Sequence, residues 1–187
     1  MVFMGIIKIN GSRLYLKELT IKDISEKYIL WLNDPEVNQF LESRFSKHTL
    51  ENVQKFVEGA RQSESTILLG IFVKDKMKHI GNIKIDQINI YHQHMSVGLM
   101  IGDKSEWGNG YATESIRMIT KFAFEKLNIS KISAGCYESN IGSKAAFEKS
   151  GYQVEGFLRS HVKLINCREG VWKMGYLASD FNASKYK

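Results

Sequence analysis

The residues best able to do chemistry lie in two stretches. The first runs Val97-Gly98-Leu99-Met100-Ile101-Gly102 and, after a short loop, Trp107-Gly108-Asn109-Gly110-Tyr111-Ala112-Thr113-Glu114. An apolar, predicted strand enters a glycine-bearing turn that opens an amphipathic helix. Glycines let the backbone approach a ligand closely, and a helix's first turn offers unbonded N–H groups at its positive dipole end. Together these suit a pyrophosphate, although a turn that only caps a helix has the same composition. No Gly-Lys-Ser/Thr follows, so this is not a Walker loop. No acidic residue ends a following strand at the distance a dinucleotide fingerprint needs. The second stretch is Glu138-Ser139-Asn140-Ile141-Gly142-Ser143-Lys144-Ala145-Ala146-Phe147-Glu148-Lys149-Ser150-Gly151-Tyr152. It places Asn-x-x-Ser at the start of a short helix and then Phe-x-Lys-x-Gly-Tyr.

The elements that must position these stretches follow from periodicity. Pro35 is the only proline, so turns are built from Gly, Asn, Asp and Ser. Asn10-Gly11 reads as a hairpin turn between Gly5–Ile9 and Arg13–Leu16. Thr20, with Asp23 in a capping-box position, is expected to start a helix bearing Ile24, Tyr28 and Trp31, which Asn33-Asp34-Pro35 ends. Thr49 is expected to cap a second helix with Val53, Phe56, Val57 and Ala60 at helical spacing. Strands are expected at Ile67–Val73, Ile80–Ile85 and Met95–Ile101. Thr113–Leu127 is an amphipathic helix with Ile116, Ile119, Ala123 and Leu127 on one face. A strand at Lys131–Tyr137, a helix at Ser143–Lys149 ended by Gly151, a strand at Tyr152–Phe157 and a last strand at Arg168–Leu177 complete the chain. This order predicts an α/β (α+β) domain around a mixed, mostly antiparallel sheet flanked by helices, with residues 1–187 as a single domain.

In order and separation, the two chemical stretches resemble the GNAT superfamily of acyl-CoA-dependent N-acetyltransferases. The first is similar to that family's Q/R-x-x-G-x-G/A pyrophosphate loop and the second to its Asn-bearing helix beside the cofactor arm. Leu14-Tyr15-Leu16 and Trp31-Leu32-Asn33-Asp34-Pro35 look like the N-terminal half of the branch containing ribosomal-protein N-acetyltransferases, so the resemblance covers nearly the whole chain. It implies an acyltransferase that moves acetyl from acetyl-CoA directly to a primary amine. Backbone amides from Trp107, Gly108, Asn109, Gly110, Tyr111, Ala112 and Thr113 would hold the pyrophosphate. Leu99, Met100 and Ile101 would pair with the pantetheine arm between splaying strands, Asn140 would bond that arm, and Lys144 would meet a phosphate or remain a solvated surface lysine.

Two departures from the family pattern bear on mechanism. Trp107 replaces the usual Gln or Arg, which matters little because main-chain amides do the binding. Phe147 stands where many members carry a Tyr that protonates the leaving thiolate. Ser143 is the nearest substitute, as a hydrogen-bond donor to the sulfur or merely as part of the helix cap. The acceptor amine must lose a proton before it attacks, so a base is expected. Ser96 occupies the position where many relatives carry a Glu. The candidates are therefore Glu138, His161, Asp86 and Glu114, with His161 favoured because imidazole as a side-chain type is suited to proton transfer near neutral pH, and Glu114 read rather as a first-turn helix residue. The segment Trp31 to Arg44 looks like enzymes that acetylate nucleotide-linked amino sugars. The N-terminal amine of a ribosomal or other protein is the alternative acceptor, and a non-catalytic acyl-CoA-binding module is the alternative of another class.

Composition bounds the rest. The 187 residues, 43% hydrophobic and 25% charged, suit a folded globular chain. Lys and Arg number 26 against 20 Asp and Glu, a net charge of +6 that favours an anionic partner. The basic residues form no block, which counts against nucleic acid. No apolar run approaches the ~20 residues of a membrane span, and the N-terminus lacks the features of a signal peptide. A cytoplasmic protein is expected. Cys136 reads as core and Cys167 as a turn residue, so no disulfide framework is expected. His92 and His94 share a strand face but lack a third ligand, so no metal is expected. An exposed last strand could pair with a second copy of the chain.

Overall fold

In the computed structural model, residues 6–164 and 166–182 are described. Strands β1 (Lys8–Asn10) and β2 (Leu14–Glu18) form a hairpin, but Asn10 lies inside β1 opposite Tyr15, so the turn runs through residues 11–13 and not through Asn10-Gly11. Next come α1 (Glu26–Asn33), α2 (Pro35–Asn38), a 3-10 turn at Glu42–Phe45, and α3 (Leu50–Gln62). Strands β3 (Ile67–Val73), β4 (Lys78–Asn89) and β5 (His94–Ile101) lead into α4 (Tyr111–Lys126). The chain then runs β6 (Lys131–Tyr137), α5 (Ile141–Lys149), β7 (Gln153–Lys163) and β8 (Arg168–Leu177). The eight strands make one sheet in the order β1-β2-β3-β4-β5-β6-β8-β7. All its pairings are antiparallel except β5 with β6.

Alternation along the strands assigns the faces. Leu14 and Leu16 on β2, Leu69 and Ile71 on β3, and Met95 and Ile132 pack under Ile116, Ile119 and Ala123 of α4 and Phe147 of α5. Tyr15, Leu68 and Phe72, one residue out of phase, pack with Tyr28 and Trp31 of α1 and Val53 and Val57 of α3. Helices cover both faces of β3, which explains why its sequence is an unbroken apolar run and all of it is buried. α4 and α5 therefore lie on one face of the sheet, α1 and α3 on the other.

Three expectations need correction. The Thr20–Asp23 capping box forms, but it caps a single 3-10 turn, Ile21–Asp23; α1 starts later, with the Ser25 hydroxyl accepting the Tyr28 N–H at 3.2 Å. Pro35 does end α1, yet it also begins α2 at a position where its missing N–H costs nothing. The strand expected to end at Phe157 continues to Lys163, so His161 lies within β7 and not beyond it. Phe56 is on the solvent side of α3, while Val53, Val57 and Ala60 face inward. The first residues of the Gly5–Ile9 strand lie outside the described residues.

Candidate active site

One cleft of about 1680 Å³ runs across the sheet where β5 and β6 part. These two parallel strands pair only through His94–Lys131, Met95–Ile132 and Ser96–Ser133. Beyond Ser96, β5 stays bonded to β4 on its far side, with Ile83 opposite Leu99 and Gly81 opposite Ile101. Its other edge, from Val97 to Ile101, faces the gap with main-chain groups that no strand takes up. The gap opens toward the turn before α4. Trp107, Gly108, Gly110, Tyr111, Ala112 and Thr113 line it from that side, and Asn140, Ser143 and Phe147 of the α5 segment from the other.

The turn is held from several directions. Gly108 (φ +78°) and Gly110 (φ +75°) occupy the left-handed region that side chains disfavour. Gly110 is the residue before α4, so the amides of Tyr111, Ala112 and Thr113 have no carbonyl one turn behind them to bond. The Trp107 indole N–H donates to the Ile101 carbonyl at 2.7 Å, tying the turn to the end of β5. Arg13 donates to the Asn109 carbonyl at 2.9 Å and lies over the Tyr111 ring. Glu114 accepts from the Arg13 and Leu14 amides at 2.8 and 3.1 Å and from Arg13 Nε at 2.8 Å. That clamp removes Glu114 from the list of bases. Ahead of the turn, Lys78 bridges Asp103 at 2.9 Å and the buried Glu106 at 2.8 Å. Lys104 reaches Asp34 and Glu36, both at 2.9 Å, joining the turn to the α1–α2 corner. Arg13 and this network went unnoticed in the sequence, because its members are about a hundred residues apart or have no motif.

The remaining candidates divide. Asn140 caps α5, its Oδ1 accepting the Ser143 amide at 3.1 Å, so only its NH2 end is offered to the cleft. Ser143 lines the cleft one helical turn before Phe147, which is 1% exposed and packs edge-on against Tyr152. Lys144 turns away: its ammonium pairs with Glu148 and sits 5.3 Å over the Trp172 ring, outside the cleft. Asn109 contributes its carbonyl to Arg13 and does not line the cleft. The Glu138 carboxylate accepts the Gly170 amide at 2.9 Å and latches the end of the β6–β8 ladder, also outside the cleft. Asp86 is bonded by Lys84 at 2.7 Å and Thr66 at 2.9 Å. Partial burial raises its pKa, but the Lys84 and Thr66 bonds outweigh it and hold the carboxyl below the usual range, which makes it a weak base. His161 does line the cleft, from β7. Burial pushes the Cys136 thiol pKa up, as for a core residue. His92 and His94 stack with ring centroids 6.2 Å apart, and the described residues contain no group of three metal-ligating side chains.

Across the cleft from the glycine turn, the sheet face away from α4 forms the other wall. There Tyr137, at the end of β6 and 7% exposed, donates its hydroxyl to Glu42 and accepts from Arg44 Nη1 at 2.7 Å. Arg44 also donates to the carbonyls of Leu41 at 2.8 Å and Lys163 at 3.2 Å. One guanidinium thus joins the Glu42–Phe45 turn, β6 and β7 across the mouth. Burial raises the Tyr137 pKa, Glu42 adds to it and Arg44 opposes, so the phenol keeps its proton at neutral pH. No sequence pattern links these residues; only the fold brings them together.

A family description, "Acetyltransferase (GNAT) domain", matches residues 13–153. The chain belongs to the GNAT acetyltransferase family. Among its GNAT relatives, the Bacillus subtilis protein named "Probable N-acetyltransferase YjcK" is 28% identical over 171 residues, covering 88% of this chain and 92% of that protein. The solved spermidine N-acetyltransferase of Vibrio cholerae, in complex with CoA and spermine, superposes with a TM-score of 0.81 at 19% identity. It covers 91% of this chain and 98% of its own. The ribosomal L7/L12 alpha-N-protein acetyltransferase RimL, in complex with CoA, gives 0.82 at 18% identity with the same coverage, 91% and 98%. At these identities the structural likeness speaks for the GNAT fold alone. Among the described residues no helix is long and apolar enough to cross a membrane.

Proposed function

We propose that this GNAT N-acetyltransferase, acting over residues 1–187 as one unit, transfers acetyl from acetyl-CoA directly to a primary amine on the far wall of the cleft. The observation that carries the reading is the parting of β5 from β6 beyond Ser96, directly in front of the glycine turn of α4. A pantetheine arm laid along the open edge of Leu99, Met100 and Ile101 replaces the missing strand, and its pyrophosphate meets the amides from Gly108 to Thr113. The thioester carbonyl then lies at the seam between the two walls. The amine attacks that carbon, the C–N bond forms, the C–S bond breaks and the thiolate departs. Ser143 supports this reading as the hydroxyl nearest the α5 position where Phe147 offers none, donating a hydrogen bond to the sulfur. His161, on the acceptor wall, is the remaining base from the sequence candidates.

The acceptor we favour is the amino group of a nucleotide-linked amino sugar, because the Glu36–Arg44 segment that supplies the sequence resemblance also lines the cleft. The exposed Phe45 and Phe56 at the mouth favour the second reading, a protein N-terminus. The test is thiol release from acetyl-CoA with a nucleotide-linked amino sugar, an N-terminal peptide and spermidine offered in parallel. Turnover with one acceptor is expected. Stabilisation by acetyl-CoA without turnover on a broad amine panel would turn the assignment toward a non-catalytic acyl-CoA-binding module.

A further inference from the structure

The register across the seam puts a row of residues on the acceptor face that no motif marks. Lys84 on β4 is directly opposite Gly98 on β5, and Gly135 on β6 is directly opposite Lys173 on β8. Gly98 and Gly135 each lie two residues beyond the last β5–β6 pair, Ser96–Ser133, and so share its face. That face is opposite Met95 and Ile132, which are buried beneath α4. Both glycines are exposed, leaving a side-chain-sized space on either side of the seam. A Cβ on Gly98 would meet nothing within 4 Å, whereas one on Gly135 would lie 4.0 Å from Lys173 Nζ. The Lys173 ammonium therefore leans over the open floor.

Charge pairing leaves the same lysine uncompensated. The carboxylates that face the cleft are each matched: Glu36 by Lys104, Glu106 by Lys78 and Lys76, and Glu42 by Tyr137 and Arg44. Lys84 is matched by Asp86 at 2.7 Å. Lys173 makes no ion pair among the described residues; Lys149 and Lys163, which also line the cleft, make none there either, and of the three Lys173 is the one beside the glycine floor. An anionic group entering over the glycine floor gains a charge-assisted contact there, while the second ammonium of a polyamine is repelled.

We infer that Lys173, over the glycine floor, forms a phosphate-recognising subsite, and that the acceptor is an amine carrying a phosphoryl group and not a polycation. The inference rests on the acetyl-transfer reading for its orientation, but the subsite can be tested apart from it. The full chain, saturated with CoA so that the pyrophosphate seat is filled, is titrated calorimetrically with glucosamine 6-phosphate, glucosamine and spermidine. The phosphate ester is expected to bind about tenfold tighter than glucosamine, the factor that one such contact of ~1.4 kcal/mol supplies. Lys173→Gln is expected to abolish that difference and Lys173→Arg to keep it. Lys126→Gln, on the α4 side of the sheet, removes the same charge elsewhere and is expected to change nothing. Equal binding of the ester and the free sugar, tighter binding of spermidine, or a phosphate preference that survives Lys173→Gln would each overturn the subsite. A wild-type chain that fails to bind CoA would instead sink the acetyl-transfer reading, and the same titrations without CoA would still decide the subsite.

Discussion

On the side we assign to the cofactor, the cleft is lined by the main chain of one continuous stretch, from the open edge of β5 through the glycine turn to the first amides of α4. The side we assign to the acceptor is assembled from side chains on the Glu42–Phe45 turn, β4, β6, β7 and β8. The first kind of wall tolerates side-chain change, because an amide is an amide whatever residue carries it. The second kind depends on which side chains meet, so each substitution there alters what the cleft accepts. A shared cofactor with a variable acceptor is the outcome that this division of labour favours.

The comparison is most easily broken at Gly110. Valine there must adopt φ near +75°, a strain of about 1–2 kcal/mol that shifts the turn and its amides. A loss of acetyl-CoA affinity of up to about thirtyfold is expected by calorimetry, and near-wild-type binding would mean that the amides do not hold the cofactor. Next is Glu114→Ala, which strips an acceptor from the Arg13 and Leu14 amides and from Arg13 Nε. A loss of about 2 kcal/mol is expected in denaturant unfolding, together with weaker cofactor binding, since the clamp also holds the turn.

On the acceptor side the expected signature is reversed. Arg44→Ala unties the mouth from Tyr137 and Lys163 and is expected to raise the acceptor KM about tenfold while leaving acetyl-CoA affinity within about twofold. An equal loss on both substrates would erase the distinction between the two walls. The smallest effect is a pH one. Burial pushes the Tyr28 phenol, on the acceptor wall, from its ordinary 10.0 up to about 12. A pKa raised by folding gives stability that is fully present below the unfolded value and lost as pH rises through the folded one. Wild type should therefore lose of order 2 kcal/mol between pH 10 and 12 at this residue. Tyr28→Phe should flatten that part of the melting-temperature profile, whereas an unchanged slope would show that other phenols carry it.

Local signals in the chain determined most of the framework. Alternating and helical periodicities located the strands and helices because burial of one face imposes them. Thr49 and the glycines before α4 marked a cap and a turn, because hydrogen bonding and backbone sterics there act within a few residues. The glycine turn before α4 was legible for the same reason: leaving a helix's first amides open needs a contiguous run with the right conformation. The first helix began later than expected because Thr20 and Ser25 offered successive caps, and only packing against Leu68 and Phe72 chose between them. Lys144 and Glu138 looked functional beside Asn140, yet nearer partners, Glu148 and the Gly170 amide, claimed them. The meeting of Glu42 with Tyr137 and Arg44, and the row from Lys84 to Lys173, were decided only by tertiary structure. Strand order and register bring together residues about ninety positions apart, and no interaction within a short segment encodes that distance.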